Sequence, residues 1–141
     1  PAGKGVKYAY YEGSFQSVDD IKPELLKSEG VIPNFDITKA QREDGFGFVF
    51  KALIDIPETG RYMFTNISDD GSCVWLDGKQ IINDDGSHSA NYTEVYAEME
   101  KGLHRLEIKY IEDCEGQTYG LELEGPGLPA VAVPDAMLYY E

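Results

Sequence analysis

The chain has 141 residues, with 26 acidic against 12 basic side chains and a formal net charge of −14. Apolar types make up 42% of it and include six phenylalanines and ten tyrosines, enough for one domain to bury a core without metals or crosslinks. That negative charge repels phosphate backbones, so nucleic acid is excluded as a partner, and the plentiful, regularly spaced aromatics exclude disorder. Membrane insertion is excluded as well, since no apolar run approaches the roughly 20 residues of a spanning helix.

Period-two alternation dominates the chain in order. Val6, Tyr8 and Tyr10 share one face of a first strand. Asp19 to Lys27 is the one stretch with helical character, and Pro23 limits it to a turn or two. Phe46, Phe48, Phe50, Ala52, Ile54 and Ile56 then line one face of a long strand that stops at Pro57 and the Thr59-Gly60 turn. Tyr62, Phe64 and Asn66 mark the next strand. Val74 and Leu76 mark another, with Trp75 on its opposite face, and Asp77-Gly78 makes a hairpin to Ile81 and Ile82. Strands follow at Asn91–Met99, at Leu103–Ile111 and through Tyr119, Leu121 and Leu123, and Met137 to Tyr140 closes the fold. His104 falls on the inward face with Leu106 and Ile108, as a core histidine. Short strands separated by Gly-, Pro- and Asp-rich turns define an all-β antiparallel β-sandwich, expected as a single domain over residues 1–141. A chain that opens at Pro1 without an initiator Met is expected to be a module of a longer polypeptide.

Acid collects in three loops: Ser68-Asp69-Asp70-Gly71-Ser72, Asn83-Asp84-Asp85-Gly86-Ser87-His88 and Glu112-Asp113-Cys114-Glu115. Neighbouring carboxylates repel one another, and hydrogen-bond donors or a cation must offset that. Calcium, which takes six to eight oxygens from carboxylates and carbonyls, is one reading; Asp-Gly turns with no ligand are the other. Neither of the first two loops has EF-hand spacing, and two histidines without clustered cysteines argue against zinc. No nucleophile elbow, phosphate loop or Cys/His dyad is present, which points away from an independent enzyme.

Gly60-Arg61-Tyr62-Met63-Phe64, then Ser68-Asp69-Asp70-Gly71-Ser72, Trp75-Leu76-Asp77-Gly78, Gly102-Leu103-His104 and Ile108-Lys109-Tyr110 resemble the PA-fourteen domain family of anthrax protective-antigen-like β-sandwiches. The resemblance runs from about Val6 to Tyr140. Gly5 to Gly13 and Asn83 to Ala90 look in detail like the accessory domains of bacterial glycoside hydrolases, such as Bacteroidetes β-hexosaminidases and α-fucosidases. The resemblance therefore implies a non-catalytic, carbohydrate-binding module of a secreted, periplasmic or cell-surface enzyme. Its partners would be a glycan or polysaccharide and the attached catalytic domain. The alternative it leaves open is a structural module that packs on the catalytic domain and binds no glycan.

In the lectin branch of that family an Asp-Asp pair joined by a cis peptide binds calcium, and the matching pair is Asp69-Asp70. The loop that supplies an Asn in those lectins has none here, and Asp113 or Glu115 would replace its oxygen. Around such a site Trp75, Tyr119, Gln117 and His88 are the ligand-binding candidates. Trp75 has a second reading, packed under a loop or against a neighbouring domain, and His88 as a brace for the second acidic loop. Similar domains usually have other residues at positions 73 and 114, so Cys73 and Cys114 are read either as a disulfide, consistent with an oxidising compartment, or as two unrelated thiols.

Overall fold

The computed structural model describes every residue, Pro1–Glu141. It has twelve strands: β1 (Gly3–Lys4), β2 (Val6–Glu12), β3 (Leu26–Ile32), β4 (Phe46–Ile56), β5 (Gly60–Asp69), β6 (Ser72–Leu76), β7 (Lys79–Asp84), β8 (Asn91–Met99), β9 (Gly102–Glu112), β10 (Thr118–Gly125), β11 (Leu128–Ala132) and β12 (Leu138–Tyr140). They form two antiparallel sheets. The larger runs β1-β12-β4-β9-β6-β7, with β2 also pairing β4 and β3 flanking β2; the smaller runs β11-β10-β5-β8.

The core lies between the sheets, as alternation requires. The six inward residues of β4 all fall under 8% exposure and meet Tyr62, Phe64, Leu121 and Leu123 of the smaller sheet. Burying each large side chain contributes about 1.5–3 kcal/mol, so β4 alone supplies much of the drive for the two sheets to close. Phe48 and Phe50 stack with centroids 5.2 Å apart, and Phe35 meets Phe50 edge-on at 5.8 Å. Asp77 and Gly78 both have positive φ, 51° and 81°, which makes the two-residue hairpin turn expected between β6 and β7.

Asp19–Lys27 has the short helical turns expected of it, both of the 3₁₀ kind. It holds two 3₁₀ turns, Val18–Asp20 and Pro23–Leu25, and then enters β3. Ser17 caps the first turn in a capping box with Asp20, and Pro23 opens the second. Strand β3 carries no inward alternation, because it lies at an edge and is exposed along most of its length; its order comes from pairing with β2. The segment before it covers part of the outer face of the larger sheet, where Phe15 and Val18 pack on Cys73 and Ile111 with the rim of Trp75. His104 sits on the expected face but at the rim, where Nδ1 lies 2.7 Å from Asp77 and Nε2 2.6 Å from the Glu100 carbonyl.

Candidate ligand-binding site

The three acidic loops converge at one end of the sandwich. The peptide bond between Asp69 and Asp70 is cis. Their loop is pinned from beneath: Ser68 Oγ donates to the Asp70 carbonyl at 2.8 Å, Asn66 Nδ2 donates to Ser72 Oγ at 2.8 Å, and the Tyr110 hydroxyl donates to the Asp69 carbonyl. Gly71 faces the second loop so closely that a Cβ there would lie 2.5 Å from both N and O of Gly86. That is a packing reason for glycine, since backbone on both sides cannot yield.

Asp70 and Asp69 have different roles. Asp70 is only 3% exposed, and its carboxylate accepts from three backbone N–H groups: His88 at 3.2 Å on Oδ1, with Asp113 at 2.6 Å and Cys114 at 3.3 Å on Oδ2. It therefore ties the first loop to the second and the third. Asp69 is half-buried, and burial, then the neighbouring Asp70 charge, pushes its carboxyl above the ordinary carboxylate range. Both line a hollow of about 220 Å³ with Ser87, His88, Ser89, Cys114, Glu115 and Gly116, and neither lysine nor arginine reaches it.

His88 braces this wall. Its Nδ1 lies 2.6 Å from the Ser89 carbonyl and its Nε2 2.8 Å from the Asp84 carbonyl, and the imidazolium alone donates to both. Burial opposes that charge, but the two carbonyls and the carboxylates of Asp84 and Asp70 outweigh it and raise the His88 pKa. The structural reading of His88 is thus realised at the same place as its ligand-facing one.

The other site residues divide. Glu115, at φ 69°, faces the hollow. Asp113 contributes its backbone N–H to Asp70, but its carboxylate accepts from Ser87 Oγ at 2.7 Å and does not line the hollow; nor does Gln117. Tyr119 is a correction: its hydroxyl donates to Asn66 at 2.7 Å and its ring lies 5.6 Å from Tyr110, so alternation along β10 turns it inward and it does not line the hollow. Trp75 lies on the outer face of the larger sheet, where Lys109 approaches its ring at 5.5 Å. It does not line the hollow. The disulfide reading is corrected too. Cys73 and Cys114 are separate thiols, the first buried under Phe15 and Val18 and the second exposed in the third loop.

Two residues of the acidic loops have roles that the sequence did not show. Asp85 clamps the covering segment, accepting from Ser17 Oγ at 2.6 Å and Val18 N–H at 2.8 Å. Nothing local in the sequence signals this contact, since Ser17 and Asp85 lie 68 residues apart. Glu112 is fully buried with both carboxyl oxygens lacking a hydrogen-bond partner. Burial, then the charges of Asp70 and Asp44, pushes its carboxyl up to about 8.

The donor set can be tested against calcium. Two adjacent carboxylates share the hollow, and Asp69, raised first by burial and then by the Asp70 charge, is a carboxylate that a cation would stabilise. No three His, Cys, Asp or Glu side chains converge to hold a metal by themselves. A calcium ion here would take Asp69 and Asp70, with Glu115 nearby, and draw its remaining oxygens from carbonyls, water or a ligand.

The fold and site define a class: a β-sandwich that presents acidic loops at one end around a shallow polar hollow. A family model described as the PA14 domain matches residues 4–135, and the chain belongs to that family. Solved structures agree on the fold. An anti-sigma factor domain-containing protein from Clostridium clariflavum superposes with a TM-score of 0.83 at 23% identity, over 99% of this chain and 49% of that one. A PA14 sugar-binding domain from an RTX adhesin gives 0.82 at 15% identity, over 99% and 100%. A β-glucosidase from Kluyveromyces marxianus gives 0.61 at 13% identity, over 86% of this chain and 17% of that one. The chain thus spans about half the length of the anti-sigma factor domain-containing proteins it matches. Comparison with curated protein sequences gave no match.

Proposed function

We propose that the chain is a non-catalytic carbohydrate-binding module whose ligand meets the hollow around Asp69 and Asp70, with calcium between protein and sugar. The observation that carries this reading is the division of labour in the pair. Asp70 is fixed by three backbone donors, while Asp69 faces the open hollow with a raised carboxyl. Calcium supplies oxygen-seeking charge that sugar hydroxyls can complete; the chain's part is to hold the carboxylates and the loop carbonyls in place. The sugar-binding adhesin domain of the same fold supports the ligand class. The β-glucosidase, which has this fold over 17% of its length, supports a module borne on a glycan-degrading enzyme, and the adhesin domain supports a secreted, periplasmic or cell-surface one.

A second reading, a structural module without a glycan, rests on the inward turn of Tyr119, which leaves the hollow without an aromatic platform. Calorimetry separates the two. Calcium should bind and raise the melting temperature, EDTA should reverse it, and Asp69→Asn should remove the effect. A glycan array read in calcium and in EDTA then reports the sugar. No calcium shift in the melting temperature overturns the metal-centred reading.

A further inference from the structure

The acidic chain keeps one cationic groove, and it is not at the loops. The row of opposed residues on the outer face of the larger sheet reads Lys7 on β2, Lys51 on β4, Glu107 on β9 and Trp75 on β6. Arg105 lies beside this row, and Lys109 adds a further ammonium over the indole at 5.5 Å. The groove that Lys7, Lys51, Trp75, Arg105 and Glu107 line with Glu141 has a volume of about 450 Å³, within the range of small-ligand sites. Three of the chain's twelve basic side chains, Lys7, Lys51 and Arg105, therefore share one groove with its single tryptophan.

Two features point to an anion. Lys7 and Lys51 are direct cross-strand partners on one face, an arrangement that destabilises a sheet unless something negative lies across it. Glu107 reaches Lys51 at 3.6 Å and Glu141 grips Arg105 through two bonds, at 2.8 and 3.2 Å, whereas Lys7 makes no ion pair: it shares the charge of Glu141 and lies 5.7 Å from the Tyr140 ring. Beside those cations an indole offers a flat apolar surface of the kind that packs on the C–H face of a pyranose.

We propose that this groove binds a carboxylate-bearing oligosaccharide, without calcium and independently of the loop hollow. Lys7, Lys51 and Arg105 would hold uronate carboxylates, with Arg105 released from Glu141, and Trp75, at the β6 end of the row, would carry an adjoining pyranose ring.

Trp75 makes the test direct, since all the tryptophan fluorescence of the protein comes from the groove. The whole chain in EDTA is titrated with trigalacturonate and, separately, with the neutral maltotriose. Trigalacturonate should shift the emission saturably, with an affinity that falls as salt rises, and maltotriose should not. Lys51→Gln and Arg105→Gln keep the reporter and lie on the surface, and each should weaken binding roughly tenfold or more. Asp69→Asn should leave it unchanged. The proposal is overturned by the absence of any saturable shift, by equal responses to the two sugars, or by unaltered affinity in both charge variants. It is equally overturned if binding needs calcium and Asp69, or if a tri-glutamate peptide binds as tightly as trigalacturonate. Calcium binding at the loops is measured separately by calorimetry, so either site can fail without the other.

Discussion

Glu112→Gln isolates the least comfortable group in the fold. Glu112 is fully buried, both its oxygens lack partners, and its pKa of about 8 lies well above the 4.5 expected for the unfolded chain. Between those two values the unfolded carboxyl has lost its proton while the folded one retains it, so stability falls as pH rises. The slope from one such proton is up to about 1.4 kcal/mol per pH unit, or up to about 3 kcal/mol between pH 5 and 7. Below the unfolded pKa both states are protonated and the penalty vanishes. Gln keeps the shape and cannot ionise, so this component of the pH dependence should disappear. The two histidines also lose stabilisation as pH rises through their raised folded values, in wild type and variant alike, so the difference between the two proteins isolates Glu112. Urea unfolding in EDTA, followed by Trp75 fluorescence at half-unit steps from pH 5 to 8, gives that difference. The variant should gain on the wild type steadily across this window. Parallel curves would refute the assignment of a raised, buried carboxyl at Glu112.

The loop packing makes three further predictions. Gly71→Ala places a methyl 2.5 Å from Gly86 backbone and should cost about 1–3 kcal/mol or more in urea unfolding, with loss of calcium binding if the loops are displaced. Asp85→Ala removes the acceptor for Ser17 and Val18 and should cost about 1–2 kcal/mol, with faster amide exchange confined to the segment around Val18. In the native protein iodoacetamide should modify Cys114 alone, since burial pushes the Cys73 thiol up to about 11; intact mass before and after unfolding counts one adduct and then two, and no adduct at either stage would restore the disulfide.

Strand identity was legible wherever one face is buried, because period two then writes the core directly into the chain. Phe46 to Ile56 and Leu103 to Ile111 show this, and so does Trp75 opposite Val74. Strand β3 was illegible for the converse reason: an exposed edge strand needs only backbone partners, and Leu26–Ile32 has no apolar rhythm to read. At the site, the acidic loops and the Asp69-Asp70 pair were visible as local sequence, and their convergence as a resemblance. Which carboxylate does what was not. Asp70, Asp85 and Asp113 are told apart from Asp69 by partners 43 to 68 residues away, or by a serine hydroxyl across loops. Tyr119 misled because it follows the acidic loop in sequence, whereas the phase of β10 turns it between the sheets.

The pairing of β1 with β12 sets Gly3 opposite Tyr140, so the first and last strands run side by side. Strand β12 meets β4 at Leu53 and Ile54, while Glu112 and the loops stand at its other extremity, beside Phe46. Some seven residues of strand, roughly 24 Å, separate the two ends. A tether attached near Gly3 and a cargo held at Asp69 would thus pull on opposite poles of the sandwich. A pull on the two termini against each other, in contrast, would open the β1–β12 hydrogen bonds one after another, like a zip. Tension through one terminus and the ligand end runs along the strands and loads the long β4–β9 ladder in shear, where many bonds must break together.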